Sequence, residues 1–398
     1  MKLKTFESLT LYRFRYRIGY ALLFGLGAVL MLWKLGSLVP GVSIAELASA
    51  KSSTLRSVWE NPIYAPYRLL QAISLKLLGQ NAWALRLPSV VFGTFSVFGV
   101  YLFLRNAYAE RVAVMGSILF GVSSALLGAS RYGTASISMA WTMAALLGIA
   151  SWIMTATKIT WWHLTNAAIV AVFALYSPLG WLWLSVIFFL HPKEVIRTIK
   201  DASNIWLALA TTGFLVAISP IVLAVVRDPQ ILRAWAFIPE TLPSIATIAT
   251  NIIRVIASLA WRNTLSDPAT HLGNLPILDI FTASMTFLGV LTLVMKPTLA
   301  RTRILLITGG LAVAAIAVNY SAESFVLLLP LAAIFTAIGL ERMLEEWYQM
   351  FPRNPFARVG ALIPLALVFA MTMFYQVHRG FVAWPKAPET KAAFQQRL

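Results

Sequence analysis

The run ALRLPSVVFGTFSVFGVYLFLRNAYAERVAVMGSILFGVSSALLGASRY, residues 84–132, decides the architecture. It contains two apolar stretches, about 84–104 and 112–129, joined by a short turn carrying Arg105, Glu110 and Arg111. An apolar stretch near ~20 residues is what crosses a hydrocarbon core as a helix. A turn this short sends the chain straight back. The same pattern repeats outward in both directions. It predicts eleven spans, at about 18–38, 84–104, 112–129, 136–156, 161–176, 179–190, 205–226, 276–295, 303–319, 324–340 and 359–376. The expected fold class is an all-α polytopic membrane protein.

Composition supports this reading. Of 398 residues, 59% are hydrophobic and only 12% charged, where a soluble domain carries roughly 25% charged residues. That excludes a soluble enzyme, a disordered chain and a fibrous repeat. Lys+Arg is 32 against Asp+Glu 15, a net charge of +17. Basic surfaces attract nucleic acid, but membrane proteins also keep Lys and Arg in short cytoplasmic turns, and no nucleic-acid partner is expected. Cysteine is absent, which removes disulfides and thiolate chemistry.

Charge also orients the chain. With a cytoplasmic amino terminus, the inner turns carry Arg105 and Arg111, then Lys158, then Lys193, Arg197 and Lys200. They continue with Lys296, Arg301 and Arg303, and end with Arg342, Arg353 and Arg358. This is the positive-inside pattern, and it puts the carboxy terminus outside a cytoplasmic (inner) membrane. The segment after the basic stretch of residues 1–17 is expected to remain as an uncleaved first helix. Its apolar run is too long for a signal peptide, and Pro40, Gly41 and Glu46 precede the small-residue triplet Ala48-Ser49-Ala50.

A single transmembrane domain, 1–398, is the simplest partition, with a first outer loop at 39–82, a second at 227–275 and a short outer tail at 377–398. In the first loop, Ile44, Leu47, Leu55 and Val58 form one apolar stripe. Leu69, Leu70, Ile73, Leu77 and Leu78 form another, with Arg68, Gln71 and Lys76 on other faces. Helices lying on the membrane surface fit both stripes. Ile245, Ile248, Ile252 and Ile256 suggest a further surface helix in the second loop, among Arg227, Arg233, Arg254 and Arg262.

Several short motifs follow this frame. They are Ser43-Ile44-Ala45-Glu46, Glu60-Asn61-Pro62-Ile63-Tyr64, Leu85-Arg86-Leu87-Pro88-Ser89 and Ser130-Arg131-Tyr132, with weaker ones at Leu275–Asp279 and Ser324–Pro330. Together they resemble the GT-C superfamily of membrane glycosyltransferases, in particular the branch of protein O-mannosyltransferases and lipid A aminoarabinose transferases. The family's first outer loop carries an acidic pair; here Ala45 holds one of the two places. Where the family often has a second acid after its Ser-Arg segment, this chain has Gly133-Thr134-Ala135-Ser136.

The resemblance implies transfer of a sugar from a polyprenyl-phosphate carrier to a glycan, protein or lipid acceptor, with inversion and no further cofactor. The acceptor hydroxyl must lose a proton as it attacks, so a carboxylate is required nearby. The expelled phosphate needs cationic or hydrogen-bonding neighbours. Glu46 is the expected general base, the alternative being an interfacial glutamate facing water. Arg131 and Arg86 are expected phosphate contacts, or arginines reaching toward headgroups. Tyr132 is a donor or a belt aromatic. Glu60 and Asn61 are substrate contacts or an ordinary Asn-Pro turn. Arg262 is a contact to an acidic substrate or to anionic lipid.

His271 with Asp267 is a weaker base pair, and Glu323 and Asp279 are acids at span ends. The four histidines, His163, His191, His271 and His378, show no metal-ligand spacing, and no Asp-x-Asp occurs, so no metal is expected. The rival reading is a non-catalytic GT-C-like scaffold in a glycan assembly complex.

Overall fold

The computed structural model describes residues 20–398, apart from 22, 23, 26, 202, 265, 266 and 351–354. The expectations placed on residues 1–17, and on the turn at Arg353, lie outside the described residues. Among the described residues the backbone is helical, with one isolated antiparallel bridge, Val42 to Gln396, as its β pairing.

The first span is followed by three loop helices, α1 (Ile44–Ser52), α2 (Leu55–Glu60) and α3 (Ala65–Leu78). Next come α4 (Ala82–Ala107), α5 (Glu110–Val122), α6 (Ser124–Ser130), α7 (Ile137–Thr155), α8 (Trp161–Leu175) and α9 (Gly180–Leu190). A surface helix α10 (Pro192–Asp201) leads to α11 (Asn204–Arg227), α12 (Gln230–Trp235) and α13 (Ile245–Ala260). The chain then runs through α14 (Ile280–Val294), α15 (Ala300–Val318), a 3-10 turn (Ala322–Leu328), α16 (Leu329–Met350) and α17 (Pro355–His378). It closes with α18 (Trp384–Lys386) and α19 (Pro388–Ala393).

Each predicted span within the described residues contains a helix, but the count of eleven is not reached on length. Among the described residues, six helices are long and apolar enough to cross a membrane, and seven if α5 and α6, bent by 60°, make one span. α8, α9 and α14 have 15, 11 and 15 residues. At about 1.5 Å per residue they fall short of a core about 30 Å thick. The bend between α5 and α6 falls at Ser123, whose side chain caps the new helix by accepting from Leu126 N.

Helices approach closely where small residues meet, the usual device of membrane bundles. A Cβ on Gly99 would sit 2.6 Å from the carbonyl carbon of Ala144. Gly289 and Gly339 likewise leave no room between α14 and α16.

The basic turns lie together at one end, where Arg301 donates to Ala107 O and Arg197 to Ala156 O. The opposite end gathers both long loops and the tail. Tyr64 N donates to Tyr176 O, Ile277 N to Ser258 O, and Val42 and Gln396 exchange backbone bonds.

The loop helices form where the apolar stripes predict them, and their burial is inverted relative to a water-soluble domain. Ile44, Leu55, Ile73 and Leu77 are exposed, while Glu46 and Gln71 are fully buried. α13 repeats the pattern: Ile245, Ile253 and Ile256 face out, Asn251 and Ser258 face in. With lipid as the neighbour, apolar side chains lose nothing by facing out and polar ones gain by meeting each other inside.

Candidate active site

Two acidic centres lie at this end of the bundle. The first is built on α1. Ser43 and Glu46 form a reciprocal capping box: Glu46 N donates to Ser43 Oγ, and Ser43 N donates to Glu46 Oε2 at 3.0 Å. That geometry turns the Glu46 side chain inward, onto Arg86 of α4. Arg86 binds it bidentately, Nε to Oε1 at 2.7 Å and Nη2 to Oε2 at 2.9 Å. Gly133 N donates to Oε1 at 2.9 Å, and a Cβ on Gly133 would crowd that oxygen and the Leu85 side chain. The carboxylate thus has four donors on its two oxygens, and Glu46 is 0% exposed.

The surroundings of this clasp are equally saturated. Arg86 also donates to Leu35 O and Gly41 O, which pins the end of the first span to α4. Gln71 donates to Leu85 O and Gly133 O and accepts from Ser49 and Ser53. Tyr132 hydroxyl meets Ser43 Oγ at 2.9 Å, and burial pushes this phenol well above its ordinary value. The tail closes the corner: Phe394 is 1% exposed, lies against the Arg86 guanidinium, and meets Tyr132 and Trp384 edge-on. A Cβ on Gly41 would sit 2.5 Å from Gln396 O, so glycine there admits the tail.

The second centre is open. A shallow hollow is lined by Tyr132, Ser136, Thr270, His271, Glu323 and the apolar residues around Phe325. Glu323, at the start of the 3-10 turn, reaches solvent. It makes no hydrogen bond or ion pair among the described residues. Asp267 lies within electrostatic range of it. Asp267 Oδ1 accepts from Ala269 N at 2.9 Å, an Asx turn that shapes the 267–271 loop. Ahead of these two segments, the Thr264 and Tyr320 hydroxyl groups meet.

A second hollow adjoins the first. It shares Ala125, Thr270, His271 and Ile277 with it and adds Arg131, Arg379, Phe381 and Trp384. One acid, Glu323, therefore lines the hollow on one side of His271, and the Arg131 and Arg379 guanidinium groups line the other. Burial, helped by the Arg379 charge, pushes the His271 imidazole down to about 4, so it is neutral near pH 7. Its Nδ1 meets Thr270 Oγ1 at 2.8 Å. Burial, with the Arg86 charge nearby, pushes Arg131 down to about 10, and it remains a cation.

The residues singled out in the sequence fall into three places. Glu46, Arg86 and Tyr132 come together, joined through hydrogen bonds rather than presented to a cavity, although Tyr132 also edges the first hollow. Arg131 lines the second hollow, but its terminal nitrogens donate to Leu30 O, Met31 O and Lys34 O, and its guanidinium lies over Phe381. It ties the first span to α6 while leaving positive charge at the wall. Glu60, Asn61 and Arg262 are elsewhere. Glu60 is an exposed partner of Arg56 at 2.9 Å, Asn61 caps its own turn through Ile63 N and holds Arg68, and Arg262 is exposed.

Arg379, Trp384, Phe394 and Gln71 were not singled out. The tail residues gave no periodic signal, and Gln71 reads in sequence as one more polar position on a surface helix. A φ of 62° at Tyr64, uncommon for a non-glycine residue, marks the turn at Asn61-Pro62 where the first loop meets Tyr176.

Comparison with known proteins follows this geometry. The family model for dolichyl-phosphate-mannose-protein mannosyltransferase matches residues 61–223. The fold matches ArnT from Cupriavidus metallidurans in the apo state with a TM-score of 0.59 and 14% identity, over 95% of this chain and 77% of that one. The same protein bound to undecaprenyl phosphate matches with a TM-score of 0.58 and 13% identity, over 94% and 77%. The archaeal oligosaccharyltransferase AglB from Archaeoglobus fulgidus, in complex with an inhibitory peptide and a dolichol-phosphate, matches with a TM-score of 0.56 and 13% identity, over 92% of this chain and 56% of that one. No curated protein matches the chain.

Proposed function

We propose that this chain, which has the GT-C fold and resembles the protein mannosyltransferase and ArnT branch of membrane glycosyltransferases, transfers a sugar from a polyprenyl-phosphate donor to an acceptor at the outer face of the cytoplasmic membrane. The observation that carries the reading is the pair of adjoining hollows at the end of an apolar bundle, with Glu323 on one side of His271 and the Arg131 and Arg379 guanidinium groups on the other.

The chemistry asks for that separation. In an inverting transfer the nucleophile attacks the anomeric carbon opposite the leaving group, so base and phosphate lie on opposite sides. The phosphate of the donor sits at the Arg131–Arg379 wall, where fixed positive charge stabilises it as it leaves. The lipid tail continues into the bilayer, and the acceptor enters from the side of Glu323. Neutral His271, between the two, offers a ring nitrogen to the sugar or the phosphate without adding charge.

Glu46 takes a different part from the free base expected of it. All four acceptor positions of its carboxylate are engaged, and an acceptor hydroxyl reaches it only by displacing Arg86 or a backbone donor. Its role is to hold the first span, α1, α4 and the 133 turn in one rigid corner beside the hollows.

The reading is tested with protein in liposomes containing undecaprenyl-phosphate-linked radiolabelled hexoses and an envelope fraction as acceptor. The expected result is label in the acceptor and release of undecaprenyl phosphate. No release with any donor of the panel overturns it. The scaffold reading is favoured by one observation, that Ala45 stands beside Glu46 and the tail covers that corner, and a silent wild-type protein would select it.

A further inference from the structure

We propose that Glu323 is the proton acceptor of the transfer, in place of the first-loop carboxylate. The inference rests on the transferase reading and assigns its general base. Three observations converge. Among the acids near the hollows, Glu46 is saturated and 0% exposed, and Asp267 is engaged by its own turn through Ala269 N. Glu323 alone among these three has both carboxylate oxygens without a hydrogen bond among the described residues, and it opens on solvent at the edge of a hollow shared with Tyr132 and His271. Its place is also fixed. The 3-10 turn that presents it is anchored by Ser324 and by Phe325, which are 0% and 2% exposed, and by the Ser324 hydroxyl bond to Ser321 O. A base must be held in place as well as free to accept, and this residue meets both conditions.

The groups facing Glu323 from the surrounding elements are Asp267 and His271 on the second outer loop, Tyr132 after α6, and Tyr64 and Tyr67 at the start of α3. No cation is among them. The carboxylate is therefore not neutralised by a partner; burial of its base among these groups, and after it the like charge on Asp267, raises its carboxyl above the ordinary value and favours proton uptake. In the step itself the acceptor O–H bond breaks while its oxygen bonds to the anomeric carbon. The carbon–oxygen bond to phosphate breaks, and its electron pair leaves with the polyprenyl phosphate. The proton passes to Glu323 and from there to water in the open hollow. No oxidant, reductant or additional reactant is needed.

The experiment compares Glu323→Gln, Glu323→Asp and the wild type in the liposome assay, with undecaprenyl phosphate binding measured in parallel. Glu323→Gln is expected to lower transfer by about 10²- to 10⁴-fold, to lose the acidic limb of the pH profile, and to bind undecaprenyl phosphate within about twofold of wild type. Glu323→Asp keeps the acidic limb at a reduced rate. Carbodiimide labelling of the wild-type protein, read by mass spectrometry, is expected to modify Glu323 and leave Glu46 untouched, a result that does not depend on the variants folding. Glu323→Gln with near wild-type transfer and an unchanged acidic limb overturns the inference and leaves the transferase reading standing. So does labelling at Glu46 with none at Glu323. A wild-type protein that transfers nothing overturns both.

Discussion

The Glu46 corner and the Glu323 hollow lie at the same end of the bundle, and both carry a carboxylate, yet they are opposites in construction. In the first, every polar group has its partner: carboxylate with guanidinium, amide with carbonyl, tyrosine with serine. In the second, a carboxylate is left open to water. Saturation makes a corner rigid and unreactive, because any new partner must displace an old one. Openness makes a group available, but only if rigid neighbours position it. The difference teaches that the acid most prominent in the sequence motif is the one whose acceptor positions the fold has filled, while an acid outside the strongest motifs keeps its own open.

The largest expected effect breaks the saturated corner. Arg86→Ala leaves a buried carboxylate with two of its four donors gone, which typically costs about 3–5 kcal/mol. Glu46→Ala strands the guanidinium in the same way. The expected outcome is a fall in detergent thermal stability, together with protease access to the tail, since Phe394 rests on Arg86. Glu323→Gln is expected to leave the same melting curve in place. Equal stability losses in the two regions would erase the distinction between them.

How much of this was legible in sequence follows from the kind of signal each feature carries. The spans are written in residue counts and in the basic turns, and the helices formed where the apolar runs placed them. The loop helices were legible as periodicity. Their facing was not, because a stripe such as Ile73, Leu77 and Leu78 states which residues agree with each other and leaves open whether lipid or protein covers them. Gln71 was read as polar surface and is a buried hub for the same reason. At the site, the motif residues Glu46, Arg86 and Tyr132 do come together. What they do there depends on donors from Ser43 and Gly133 and on the ring of Phe394; Arg86 reaches Glu46 across 40 positions of chain, and Tyr132 reaches Ser43 across 89. No local pattern encodes these. Arg379 and Phe394 lie far beyond the motif and were invisible for that reason.

An intermediate effect sharpens the comparison from the open side. His271 titrates at about 4 in the folded protein, below the ordinary value of about 6.5. The unfolded chain therefore binds the proton first as pH falls. The contribution of neutral His271 to stability is complete above about pH 6.5 and is lost as pH falls toward 4, with a size on the order of 3 kcal/mol. His271→Gln removes that dependence. The measurement is the difference between the wild-type and variant melting temperatures at pH 7.5 and at pH 4.5, which cancels the carboxylates common to both. A difference that does not change with pH would place the imidazole in contact with bulk water and dissolve the boundary between the acidic and basic hollows.

The smallest expected effect calibrates the scale. Glu60 is also a paired glutamate in the first loop, bound to Arg56 one helical turn away, but the two side chains are 61% and 89% exposed. Water screens such a pair, and each long side chain loses freedom to make it, so it contributes about 0.3–0.5 kcal/mol. Glu60→Gln is expected to leave the melting temperature and the transfer rate within error, in low salt and in high. The same glutamate-to-glutamine change at positions 46, 60 and 323 then separates three roles by readout: stability alone, neither quantity, and rate alone. A rate loss at Glu60 matching that at Glu323 would mean that substrate reaches out over α2, and the hollow would no longer account for where acceptor and base meet.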